Sequence, residues 1–136
     1  MRKVTCGPTA CFDVDDTLVM WEIPNGFEED LVTIQCRDYI ELLAPNKYNI
    51  NHLKKLAKRG HAIVVWSAGG SDWAEAVVKA LELEDFVEVV MSKPHYLIDD
   101  MPSIKEAINA KLGYIDIDGN KLGHQSKFTK QTGENE

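Results

Sequence analysis

Hydrophobic residues along this chain follow two different periods. Short, mostly apolar runs occur at Ala10–Val14 ("ACFDV"), Ala62–Trp66 ("AIVVW"), Phe86–Val90 ("FVEVV") and His95–Ile98 ("HYLI"). Runs of that length, bounded by polar residues or glycine, predict buried strands. Between them the period lengthens. "NINHLKKLAKRG" sets Leu53, Leu56 and Ala57 on one helical face, with Asn49 or Asn51 as cap and Gly60 as the stop. "DWAEAVVKALEL" predicts a second helix. "SIKEAINAKLG" predicts a third, with Ser103 and Glu106 at capping-box spacing and Gly113 at its end. "GYIDID" predicts a last strand that turns at Asp118-Gly119, and the polar tail from about residue 124 predicts fraying.

The segment Val19–Leu43 is less regular. A turn signal at Pro24-Asn25-Gly26 precedes alternating Val32, Ile34 and Cys36. That pattern predicts a flap or hairpin. Strands alternating with helices predict one α/β domain over residues 1–136, a three-layer α/β/α arrangement around a mainly parallel five-stranded sheet. Ligands of such sheets bind at the carboxyl ends of the strands.

Composition narrows the picture. The chain has 136 residues, 44% of them hydrophobic, enough for a real core. Its formal net charge of -7 argues against a broad nucleic-acid or acidic-membrane footprint, while leaving room for a local positive pocket. Three cysteines, Cys6, Cys11 and Cys36, with no CxxC pair, predict free thiols in a reducing compartment. No apolar run approaches a membrane span, and acids arrive too early for a signal-peptide core. A soluble cytoplasmic protein is expected.

The strand ends hold the chemistry. The first run delivers Asp13, Asp15 and Asp16 within four positions, with Thr17 next. The second long run ends in Ser67, followed by Ala68, Gly69 and Gly70; Lys93 precedes "HYLI", and Asp99-Asp100 close it. Like charges this close repel one another unless a cation neutralises them, and carboxylate oxygens suit magnesium. One carboxylate can attack a phosphoryl group, and a second, two residues on, can move protons. Ser67 and the small residues after it can hold a phosphate at a helix start, and Lys93 can balance its charge.

"DVDDT" at Asp13–Thr17, Ser67 after an apolar strand, Lys93, and "IDD" at Ile98–Asp100 resemble, in order, the four motifs of the haloacid-dehalogenase (HAD) superfamily. The resemblance spans roughly residues 10–117 and implies a Rossmann-like fold and a magnesium-dependent phosphatase working through an aspartyl-phosphate. It implies that Asp13 is the nucleophile and a metal ligand. Asp15 would be the general acid/base and give its carbonyl to the metal. Asp99 would be a further ligand, and Asp100 would support it or hold Lys93. Thr17, Ser67, Ala68, Gly69 and Lys93 would bind phosphate. A phosphotransferase with the same residues and a non-catalytic partner-binding module are the alternative readings. Receiver domains use a similar kit in a different chain order.

Only Leu18–Asn46 separates the first motif from the next helix. That suits a short flap and no separate cap domain. An open site of this kind suits a large substrate, such as a nucleic-acid end or a protein, or a cover supplied by another subunit. It does not name the phosphorylated substrate.

Other features have plainer readings. Trp21 and Trp66 flank motif segments and could stack on a base or sugar ring, and Trp73 could shape the entrance; core or flap packing is the simpler role for all three. Lys54, Lys55, Lys58 and Arg59 fit a solvated helix face better than a substrate groove. His95 fits an ordinary strand-start histidine, Cys11 a small buried hydrophobe, and "DIDGN" at Asp116–Asn120 a hairpin turn rather than a calcium loop.

Overall fold

The computed structural model describes residues 7–23, 25–108 and 110. The expected strand in "GYIDID", its turn, the frayed tail, Cys6, and the third helix beyond Ala110 lie outside the described residues.

The elements run β1 (Thr9–Asp13), β2 (Val19–Met20), β3 (Val32–Cys36), β4 (Tyr39–Pro45), α1 (Lys47–Lys58), β5 (Ala62–Ser67), α2 (Ser71–Ala80), β6 (Val89–Ser92) and α3 (Ile104–Ala107). They form a parallel sheet in the order β1-β5-β6 and an antiparallel sheet in the order β2-β4-β3. The protein is therefore mixed α/β. The five-stranded parallel sheet is not found: among the described residues the parallel sheet has three strands.

Two physical reasons account for the difference. His95–Ile98 is not a strand. Pro94 offers no N–H to a ladder, and Tyr96 and Ile98 stand almost wholly in solvent, at 88% and 96% exposure, with no strand beside them among the described residues. The strand expected at Phe86–Val90 starts later, at Val89. Phe86 and Val87 instead close a turn, both N–H groups donating to the Leu83 carbonyl at 2.9 and 3.1 Å. Their apolar character serves packing, since Val87 is buried.

α1 and α2 follow their sequence logic closely, whereas the third helix, expected to run to Gly113, ends at Ala107, where Ile108 turns to extended backbone at φ -123, ψ 97. α1 begins one turn earlier than its best cap candidates suggest. Asn46 caps it, accepting a hydrogen bond from Asn49 N at 3.2 Å. Asn46 is fully buried, and its own N–H donates to Leu18 O at 2.8 Å, so the cap also ties the helix to the turn after β1. Ile50 and Leu53 bury the inner face, and Gly60 at φ 92 ends the run. The basic residues stay outside, except that Lys54 lies 5.5 Å from the centre of the Phe86 ring. α2 buries Trp73, Ala74, Val77 and Val78. α3 is a single turn with Ser103 as its cap.

The flap is a true hairpin. β3 and β4 pair from Val32↔Leu43 to Cys36↔Tyr39, leaving Arg37-Asp38 as a two-residue turn with Arg37 at φ 57. The alternation read from Val32, Ile34 and Cys36 is real: Thr33 and Gln35 between them face water. Ile34 and Leu43 belong to the same buried cluster as Val14, Leu53, Ile63, Val65, Val77 and Leu83. Full burial of each such side chain contributes about 1.5–3 kcal/mol, so the flap is part of the core. Cys11, expected to be buried, is exposed, because alternate residues of β1 face outward.

Candidate active site

β1 and β5 run in parallel with Asp13 opposite Trp66, and β5 and β6 end together with Ser67 opposite Ser92. Asp13, Ser67 and Lys93 therefore arrive at one carboxyl edge. Lys93 N donates to Ser67 O at 3.0 Å, and Lys93 Nζ lies 3.1 Å from Asp13 Oδ1. Thr17 Oγ1 approaches Asp13 Oδ2 at 3.5 Å.

The three clustered acids do not share one environment. The chain turns sharply after β1, with Thr17, Leu18 and Val19 all donating to the Val14 carbonyl. Asp16 adopts φ 59, a left-handed conformation that Asp tolerates better than most residues. Its carboxylate accepts from Trp21 N at 3.2 Å. Asp15 points elsewhere. Its Oδ1 accepts from two indoles, Trp21 Nε1 at 2.8 Å and Trp73 Nε1 at 3.0 Å. Each carboxylate thus has its own donors, which is how the chain supports three acids so close together.

Ser67 is fully buried, and its hydroxyl accepts from Gly69 N at 2.9 Å. Its carbonyl also accepts from Gly70 N at 3.2 Å. Ala68 and Gly69 are exposed, and Gly70 takes φ 107, ψ 161 as the residue before α2. The loop therefore presents its backbone at a helix start. Ser71 N is already taken by Ser92 Oγ at 2.9 Å.

Asp99 and Asp100 are exposed on the segment after β6, and Asp99 Oδ1 accepts from Met101 N at 2.9 Å. That bond, with help from Asp100, holds the Asp99 carboxyl below its usual range. Among the described residues no three His, Cys, Asp or Glu side chains form a group able to hold a metal ion. The structure brings Asp13, Thr17, Ser67 and Lys93 together and keeps Asp15 beside them on the chain. Asp99 and Asp100 do not complete a four-carboxylate group with Asp13 and Asp15.

Sequence reasoning missed the partners of Asp15. Trp21 and Trp73 were read as packing residues, yet both bring an indole N–H to the same carboxylate oxygen. The available signal was their placement, one just after the acidic motif and one at the start of the helix after Ser67. Trp73 is buried, with the rings of Trp21 and Tyr39 at 6.1 and 6.0 Å from it. The flap reaches this corner through an ion pair between Arg37 and Asp72.

Neither a scan against protein-family models nor a search of curated proteins returns a match for this chain.

Proposed function

We propose that the chain is a phosphatase of the HAD type that hydrolyses a phosphate monoester through an aspartyl-phosphate on Asp13. The observation that carries this reading is the 3.1 Å approach of Lys93 Nζ to Asp13 Oδ1 at the carboxyl edge of the parallel strands. A carboxylate beside a cation at a strand edge suits attack on phosphorus, where charge balance and positioning carry most of the catalysis.

In this reading an Asp13 oxygen attacks phosphorus, and the ester P–O bond breaks. The leaving oxygen takes a proton from Asp15. Water then attacks phosphorus, the P–O bond to Asp13 breaks, phosphate leaves, and the water proton passes to Asp15, which restores both groups. The two indoles grip Asp15 Oδ1, which leaves Oδ2 for proton transfer in this reading.

Magnesium fits a donor set of this size, because it binds through one or two carboxylates and keeps several waters. Asp13, with the carbonyl of Asp15, would hold it, and it would supply positive charge to the phosphate oxygens. Asp99 and Asp100 are the other candidate ligands.

The test is release of phosphate from an aryl phosphate, with magnesium and with chelator, by the native chain and by Asp13→Asn. Magnesium-dependent release by the native chain alone is expected. Equal release by Asp13→Asn overturns the mechanism.

A further inference from the structure

We propose that the exposed rings of Trp21 and Tyr39 form a stacking surface for a nucleobase, so that the substrate class is a free nucleoside monophosphate. This rests on the phosphatase reading for its phosphate end only.

Exposed aromatic rings are ordinary when scattered. These two converge. Trp21 is 42% exposed and Tyr39 49%, and both lie about 6 Å from the single buried ring of Trp73. They come from different elements, the turn after β2 and the start of β4, so the fold itself gathers them.

Their polar handles are already committed. Trp21 Nε1 donates to Asp15 Oδ1, and the Tyr39 hydroxyl donates to Glu41. Each ring is therefore held by one edge, leaving π-face for a ligand. A surface ordered in advance loses little entropy on binding a flat ring.

The surface is also tied to the chemistry. The carboxylate that fixes Trp21 is Asp15, two residues from Asp13.

Charge separates a free nucleotide from a nucleic-acid strand. Arg37, the cation nearest this corner, is already paired with Asp72. Asp38, Glu41, Glu22 and Glu28 lie on the same flap segments, and the chain carries a net charge of -7. A track for a polyanion needs the opposite balance. A stacking surface beside one lysine suits a single base with a single phosphate.

The experiment titrates the full chain with adenosine monophosphate, glycerol phosphate and a terminally phosphorylated oligonucleotide, reading tryptophan fluorescence with and without magnesium. The same compounds are then compared as substrates. The variant is Tyr39→Leu, which keeps apolar bulk and removes the π-face. Adenosine monophosphate is expected to quench fluorescence and bind more tightly than the other two. Tyr39→Leu should weaken it about tenfold, the low end of what an aromatic platform contributes per base, with a far smaller effect on glycerol phosphate. Equal affinity for adenosine monophosphate and glycerol phosphate, or an equal loss for both in Tyr39→Leu, overturns the stacking surface. Tighter binding of the oligonucleotide overturns the assignment to free nucleotides. Base-dependent binding without phosphate release from any ester would sink the phosphatase reading and leave the surface standing. Hydrolysis without base preference would do the reverse.

Discussion

Lys93 reaches Asp13 across an intervening strand. β5 lies between β6 and β1, so the lysine side chain, the 3.1 Å contact and the Asp13 side chain together cover two strand spacings, about 10 Å between backbones. Its backbone is pinned beside Ser67, and the side chain supplies the rest of the reach. The charged ends are 40% and 35% exposed. An ion pair that wet contributes at most about 1 kcal/mol to stability. Lys93→Met keeps most of the stem and removes the charge. It should leave the denaturation midpoint nearly unchanged while lowering phosphate release about a hundredfold or more. A large stability loss with activity retained would mean the pair is structural.

Trp73 presents the opposite case. It is 8% exposed, and its indole donates to a carboxylate. Trp73→Phe keeps an aromatic ring but deletes that donor and leaves a small void. Loss of a hydrogen bond to a charged group costs about 1.5–3 kcal/mol. Urea denaturation should show the midpoint falling with an unchanged slope.

Gly70 isolates backbone strain. A Cβ there would meet nothing within 4 Å, so Gly70→Ala causes no clash. Yet φ 107 with ψ 161 is a region that side-chain-bearing residues avoid. The variant should lose about 1–3 kcal/mol by thermal or chemical denaturation. An unchanged midpoint would mean the loop relaxes into another conformation.

Tyr39 gives a pH signature. Its hydrogen bond to Glu41, with partial desolvation and the glutamate charge, raises its ionisation above the ordinary phenol value. A raised folded value favours the protonated form in the native state. The associated stability is complete below the unfolded value, near 10, and is lost as pH rises through the folded value. Absorbance titration of the native chain minus Tyr39→Phe should show this phenol ionising late. Glu41→Gln should bring it back toward the ordinary value. A normal titration in the native chain would refute the bond.

Much of this was legible in the sequence because it depends on local period. β5 alternates half-buried and buried along its length, and α1 and α2 carry their apolar stripes where spacing puts them. The Asp13–Lys93 pair was legible from charge and motif order, although the strand expected after Lys93 is not formed. Less was legible where position depends on partners. β4 reads as "YIELLAP", with Ile40 and Leu42 exposed but Leu43, Ala44 and Pro45 buried, so no strict alternation announces it. "HYLI" has strand composition and no ladder to join among the described residues. The indoles turned toward Asp15 come from six and 58 residues away, and no hydrophobic period encodes that meeting.

Ser67 has a consequence for how such a protein can change. Its carbonyl receives Gly70 N and Lys93 N, and its hydroxyl receives Gly69 N. Two of these three bonds are main chain to main chain, so no side-chain replacement at this position dissolves them. The strand ends that carry Asp13, Ser67 and Lys93 are thereby tied together through the main chain. Tyr39 and Arg37, by contrast, meet α2 through side chains alone, in a hairpin whose outer face carries no such obligation. Substitutions there alter the hairpin's outer face one residue at a time, while the main-chain bonds at the strand ends stay in place.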